Sequence, residues 1–219
     1  KYYRWWAFSA ISFAYFLAYF QRVSPSVIAP DLLKEFNTTS TSLGFMSSFY
    51  FYIYAIEQPI VGYLADRFGP RKVVGIWSII AAVGCVMFGL APTLTWASLG
   101  RALIGFGGGG IYVPSLKALS QWFREKEFAT MSGLLYGIGN LGAIMAAAPL
   151  AWLCGYSGWR MSFLVIASVT FIVGAIILLG IRDHSNLKVP LNRLQTTHNF
   201  QPSKIAKITL SAMFSTQFF

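Results

Sequence analysis

A run of about 20 apolar residues is long enough to cross the hydrocarbon core of a bilayer as a helix. This chain contains six such runs, at 5–29, 43–65, 73–91, 94–122, 129–155 and 159–181. The segments between them are short, so the spacing predicts an all-α membrane protein whose residues 1–181 form one six-helix transmembrane bundle. A polar stretch, 182–204, follows and reads as a loop outside the membrane. The chain then turns apolar again over 205–219, a segment too short to cross and expected to be the start of a truncated seventh transmembrane helix.

Composition supports a lipid solvent. Of 219 residues, 56% are hydrophobic and only 11% are charged, against about 25% charged in soluble domains. The net charge of +10 would fit a nucleic-acid binder, but the positions of the charges exclude that partner. With the N-terminus placed in the cytoplasm, the inner segments hold Lys1, Arg4, Arg67, Arg71, Lys72, Arg124, Lys126, Arg182, Lys188, Arg193, Lys204 and Lys207. The outer ones hold only Lys34 and Arg160. This is the positive-inside bias of a membrane protein, and it puts the 182–204 loop in the cytoplasm as well. Lys1 is not an initiating methionine, which suggests a trimmed N-terminus. The first apolar run has no small-residue cleavage site and reads as a span rather than a removable signal. Cys85 and Cys154 lie within apolar runs and read as packing residues without a disulfide.

Polar side chains on a spanning helix must face protein or water. At helical spacing the first span carries Ser12, Tyr15, Tyr19, Arg22 and Ser26, and the second Ser47, Tyr50, Tyr54 and Gln58. The fourth carries Arg101, Gly105, Gly108, Tyr112 and Ser115, and the fifth Gly133, Tyr136, Gly137 and Asn140. The third and sixth are almost wholly apolar. Spans one, two, four and five are therefore expected to surround a polar path, with three and six facing lipid. Small residues and hydroxyls also serve helix packing, whereas a mid-span arginine needs water or a partner. At 1.5 Å per residue, Arg22 lies about 24 Å from the inner anchor Trp6, and Arg101 lies about 10 Å below the outer end of its helix. Both fall in one outer-middle zone.

Gly105–Gly110 and Gly137–Gly142 each fit the spacing G-x-G-x-x-G. Neither follows a strand or opens a helix, so close helix approach explains them better than a nucleotide. His184 and His198 lie in the polar stretch without ligand-like spacing, so no metal, cofactor or catalytic constellation is expected. Glu57 and Lys117 are the remaining intramembrane charges; they read either as an ion pair or, for Glu57, as a proton carrier.

The most specific segment is Gly62-Tyr-Leu-Ala-Asp66-Arg67-Phe-Gly69-Pro-Arg71-Lys72, in the turn between spans two and three. It closely resembles the G-x-L-a-D-r-x-G-r-[rk] signature of the major facilitator superfamily. Arg101-Ala-Leu-Ile-Gly105-Phe-Gly-Gly-Gly109 resembles that superfamily's R-x-x-x-G-x-x-x-G pattern in span four. The resemblance implies the N-terminal half of a 12-helix fold and transport by alternating access. The C-terminal six-helix half would be the intramolecular partner. It makes Gly62, Asp66, Arg67, Gly69, Arg71 and Lys72 a conformational latch, with Gly62 for close packing, Gly69 for the turn, and Asp66 accepting from Arg71 or a helix end. Tyr19-Phe-Gln-Arg22 with Ala29-Pro30-Asp-Leu32, and Gly158-Trp159-Arg160, resemble the organic-anion branches, the organophosphate antiporters and anion:cation symporters. The resemblance gives Arg22 the substrate's anionic group and Arg101 a functional role. The departures are Val23 and Gln58 where phosphate antiporters are basic, Gly108 where vesicular glutamate carriers are acidic, and Ala143 after Gly142 where drug exporters carry Gly-Pro.

The expected function is therefore secondary active transport of a small organic anion across a bacterial inner membrane. Amino acids, other zwitterions and nucleosides stay open, as does a transporter-like ligand sensor. The expected substrate-binding set is Arg22, Tyr15, Tyr19, Tyr54, Gln58, Arg101, Tyr112, Tyr136 and Asn140, with a coupling proton or sodium ion and membrane lipid as further partners. The other reading of Arg22 is an arginine held by backbone carbonyls at the Pro25 kink.

Overall fold

A computed structural model describes residues 2–181, and over them the chain is all-helical. The helices are α1 (Tyr2–Val27), α2 (Ala29–Glu35), α3 (Ser40–Phe68), α4 (Pro70–Gly89), α5 (Leu94–Trp122), α6 (Glu125–Met145) and α7 (Ala148–Gly180). The expected 182–204 loop and the start of a seventh span, 205–219, lie outside the described residues.

Local chemistry sets most boundaries. Thr39 and Thr93 cap α3 and α5, each accepting through its side chain from a backbone N–H three residues on. Gly69 ends α3 at φ 88°, a backbone geometry that glycine tolerates and other residues resist, and Pro70 starts α4 without needing an N–H partner. At the start of α6 the Glu127 carboxylate accepts from the Arg124 N–H at 3.0 Å.

The fifth span is not the single helix that 129–155 suggests. Pro149 has no N–H to bond the Met145 carbonyl, and α6 stops there. The arm of α7 before Gly158 continues the apolar run of that expected span. Gly158, at φ 77° and ψ 156°, then breaks α7, and the longer arm after it is the sixth span. Six crossings thus come from seven helices, the extra one being the short α2 between the first two spans.

Of these helices α4, α6 and α7 are long and apolar enough to cross a membrane on composition alone. The other three long helices, α1, α3 and α5, have 26, 29 and 29 residues and carry most of the polar stripe. α4 is wedged between α5 and α7, α3 packs on α5, and α1 packs on α6 with thinner contacts to α5 and α7. Close approach relies on the glycines: Gly105 meets the backbone of Tyr50, and Gly142 that of Phe16. Gly137 of the second glycine run meets open space. The outward faces of α4 (Ile76, Val83, Val86) and of α7 (Phe171, Ile172, Ile176, Leu179) are apolar. α4 is not an outlying helix, however, because its other sides are covered by α5 and α7.

One end of the bundle is closed by a clasp. Glu35, the last residue of α2, accepts from Trp159 Nε1 at 2.8 Å and from Arg160 Nε and Nη2 at 3.1 and 2.9 Å. Arg160 also donates to the Gly89 carbonyl at the end of α4 and lies over the Trp159 ring. The Trp159 hydrogen bond, helped by Arg160, holds the Glu35 carboxyl below its ordinary range. A carboxyl lowered in this way adds stability above its unfolded value and loses it as pH falls through its folded value. Glu35→Gln should therefore cost about 1 kcal/mol or less at neutral pH, as expected of a solvent-screened pair. Thermal unfolding in detergent should show the gap from wild type closing on acidification through the carboxylate range.

Candidate functional site

The site grows from a proline. Pro25 lies inside α1 and has no N–H, so the carbonyl of Gln21 loses its helical partner. A carbonyl left bare in a dry interior is costly. Arg101 of α5 supplies the missing donor, its Nη1 bonding the Gln21 oxygen at 2.8 Å. The Arg101 guanidinium also sits 4.9 Å from the ring of Tyr50 on α3, and the residue is 1% exposed. Gln21 is itself buried, and its Nε2 donates to Thr170 Oγ1 of α7 at 2.8 Å. A buried polar chain thus joins α5, α1 and α7, with Tyr50 of α3 against it.

This arrangement separates the two arginines that the sequence puts together. Arg101 holds the backbone at the Pro25 kink, the role considered above for Arg22. Arg22 is half-buried and stands 5.6 Å from the Tyr19 ring and 5.1 Å from the Phe51 ring. Among the described residues no ion pair includes it. Both arginines border one cavity of about 440 Å³, formed by α1, α2, α3 and the floor residue Arg101, with Ser26, Ser40 and Ser47 also on its wall. No residue of α4, α6 or α7 lines it.

Four of the expected tyrosines, Tyr15, Tyr19, Tyr112 and Tyr136, form one cluster of ring contacts. Tyr15 is buried, with its ring 4.9 Å from Tyr19 and 5.1 Å from Tyr112, the second pair stacked. Tyr19 reaches toward Tyr136 of α6 at 6.5 Å, and Tyr136 is exposed. Tyr54 stacks on Tyr50. Gln58 donates to the Tyr54 and Gly109 carbonyls at 3.3 Å, and Asn140 donates to the Tyr136 carbonyl at 2.9 Å. In this structure these two amides turn their donors to backbone, one across to α5 and one within α6. Gln21, Tyr50 and Thr170 were missing from the expected site. Gln21 and Tyr50 were visible as polar mid-span residues, but which helix each would face was not.

At the opposite end lies the turn between α3 and α4. Lys117 of α5 pairs with Asp66 Oδ1 at 2.5 Å and donates to the Ala65 carbonyl at 2.9 Å. Asp66 is thus held by α5, whereas Arg71 bonds the Ile181 carbonyl at 2.6 Å. The expected Glu57–Lys117 pair does not form. Lys117 reaches the last turn of α3, and Glu57 lies deeper and bonds Trp77 instead. Arg67 donates to Tyr63 within α3, and Lys72 is exposed. Gly69 makes the turn as its φ requires. A methyl on Gly62 would meet no atom, so Gly62 serves no close packing within the described bundle.

Residues 11–219 match a family model described as Major Facilitator Superfamily. A Cupriavidus necator protein named "Probable sulfoacetate transporter SauU" is 32% identical over 156 residues, which cover 71% of this chain and 36% of that protein. The hexuronate transporter of Escherichia coli is 26% identical over 169 residues, 77% of this chain and 39% of that one. Among solved structures, a bacterial homolog of the human lysosomal transporter Spinster, inward-facing and unoccupied, superposes with a TM-score of 0.76. At 21% identity it shows a common fold, over 84% of this chain and 44% of the other. The chain spans less than half the length of these relatives.

Two outcomes follow from the partners observed. Arg101→Ala should lower stability by about 2–4 kcal/mol, through a lost charged hydrogen bond and an unfilled space. Adding Pro25→Ala, which restores an N–H for the Gln21 carbonyl, should recover part of that loss in detergent unfolding. In double-mutant cycles, Asp66→Asn and Lys117→Gln should couple, while Glu57→Gln and Lys117→Gln should add independently.

Proposed function

The chain belongs to the major facilitator superfamily, and from that premise we propose that it is the N-terminal half of a secondary transporter that moves a small organic anion by alternating access. One observation carries the substrate class. Among the described residues no carboxylate pairs with Arg22, whose guanidinium stands at the edge of a cavity whose volume suits a small ligand. Its planar fork of donors fits a carboxylate, sulfonate or phosphate. Relatives named for sulfoacetate, for hexuronate and for hexose phosphate all name anions of this kind.

In this reading Tyr19, beside Arg22, with Tyr112 and Tyr136, would bound the apolar part of the substrate outside the cavity wall, on the side that faces the C-terminal six-helix bundle, with the buried Tyr15 packed behind them. Arg101 shapes the floor and adds positive potential, while its bond to α1 holds Arg22 in place. The Asp66–Lys117 pair, with Arg67, Arg71 and Lys72 around it, is the latch at the opposite end, and Gly62 is the open contact point for the second bundle. In this reading that end, the N-terminus and the 182–204 segment are cytoplasmic, an orientation that the positive-inside bias supports. The cavity then opens toward the outside. The two bundles would rock about the bound anion.

Equilibrium binding to the full-length protein tests this, with sulfoacetate, uronates, sugar phosphates, amino acids and nucleosides as probes. An organic acid should stabilise the protein against heat and exchange across proteoliposomes. Arg22→Lys should weaken its binding by about tenfold or more, because the charge stays and the bidentate geometry goes. Arg22→Ala should abolish binding at an unchanged melting temperature. Normal binding by well-folded Arg22→Ala would sink the anion assignment. Binding without flux would make the protein a sensor.

A further inference from the structure

Glu57 belongs neither to the cavity nor to the latch, yet its surroundings are built for it. It lies on α3 at 2% exposure. Its Oε2 accepts a hydrogen bond from Trp77 Nε1 of α4 at 3.1 Å. Its Oε1 is buried and has no hydrogen-bond partner. Opposite the carboxyl, α5 offers a gap in place of side chains. A methyl on Gly109 would collide with Oε1, and one on Gly110 would collide with the Trp77 ring. The two glycines make a socket that admits the acid and its indole donor together. Gln58, the next residue along α3, ties the same joint from the other side through its bond to the Gly109 carbonyl.

Among the described residues the socket contains no counter-charge. The α4 side presents a neutral indole, the α5 side presents glycine backbone, and α3 adds the phenols of Tyr50 and Tyr54. Lys117, further along α5, is engaged by Asp66 and the Ala65 carbonyl. Among the described residues no ion pair includes Glu57. A lone carboxylate in such a place is strongly disfavoured, whereas a neutral acid is tolerated. Because Oε2 already accepts from the indole, the proton belongs on Oε1.

We propose that Glu57 is a proton-binding site, protonated while α3 is closed on α5 and ionised when the two helices part enough to admit water. The step is a simple transfer: the Oε1–H bond breaks, its proton passes to water, and the electron pair stays on the carboxylate. The carboxylate then needs the water that closure excludes. Proton release and separation of α3 from α5 are thereby linked, each favouring the other by the same free energy. A purely structural polar group would be expected to have both oxygens paired. This one keeps an oxygen open in a space that two glycines preserve. The coupling role alone rests on the alternating-access reading, where it makes the driving ion a proton; the site itself does not.

Infrared spectroscopy of the full-length protein in lipid, through an alkaline titration, tests the proposal. Wild type should show a carboxylic-acid carbonyl band at neutral pH that is lost on alkalinisation, and Glu57→Gln should lack it. Asp66→Asn should retain it, since Asp66 is an exposed and ion-paired carboxylate. Gly109→Ala, by filling the socket and pushing the carboxyl toward water, should move the loss to lower pH. If Glu57→Gln fails to fold, Glu57→Asp serves, because withdrawing the carboxyl from Gly109 must shift the frequency and midpoint of the band. A neutral-pH spectrum with no band assignable to Glu57 overturns the proposal. So does a band that persists through the alkaline range, the mark of a permanently neutral acid. Neither result depends on whether an organic anion binds, so failure here is distinct from failure of the transport reading.

Discussion

The bond from Arg101 to the Gln21 carbonyl is the constraint on which the rest of the site depends. Pro25 takes a hydrogen bond out of α1, and nothing in an apolar interior other than protein or trapped water can replace it. The guanidinium of a neighbouring helix does so at 2.8 Å, with Tyr50 against its face. The rotational setting of α1 against α5 follows. Gln21 turns inward to Thr170, and the next residue, about 100° further round the helix, turns toward the cavity. Arg101 takes the Gln21 carbonyl, and Arg22 is left at the cavity wall.

Among the described residues, the charged side chains other than Arg22, Arg101 and Glu57 concentrate at the two ends of the bundle. Glu35 gathers Trp159, Arg160 and the end of α4 at one, while Asp66 and Lys117 join α3 to α5 at the other. Between them, the contacts between spans are made by glycine, alanine and aromatic rings, with few polar links. A structure held in this way has a firm interior and ends whose ion pairs are partly exposed and so individually weak.

Glycine is used in two different ways in α5. Gly105 brings two backbones together, which any small residue partly achieves. Gly109 and Gly110 instead make room for a polar side chain and an aromatic ring from two other helices. The spacing G-x-G-x-x-G, which in a strand–turn–helix setting would cradle phosphate, here records helix contact and a buried acid.

The sequence by itself determined what depends on near neighbours along the chain. Six runs of apolar residues fix six crossings, because a bilayer accepts nothing but internally bonded backbone. Gly69 followed by Pro70 fixes the turn after α3, because few residues tolerate that φ. The Gly62–Lys72 motif and the first-span arginine stand out for the same reason, as short patterns along the chain. Pro149 and Gly158 were also readable, yet the break at Met145 escaped notice because apolar character continues across it. What only the tertiary structure decided is which helix face meets which. Arg22 and Arg101 lie at one depth, and nothing in either stripe says which of them takes the Gln21 carbonyl. Lys117 could reach either Glu57 or Asp66 from its place near the end of α5, and the choice fell to Asp66. Those outcomes depend on interhelical rotation and separation, set jointly by glycine contacts and one unpaired carbonyl far apart in the chain, and no local pattern carries that information.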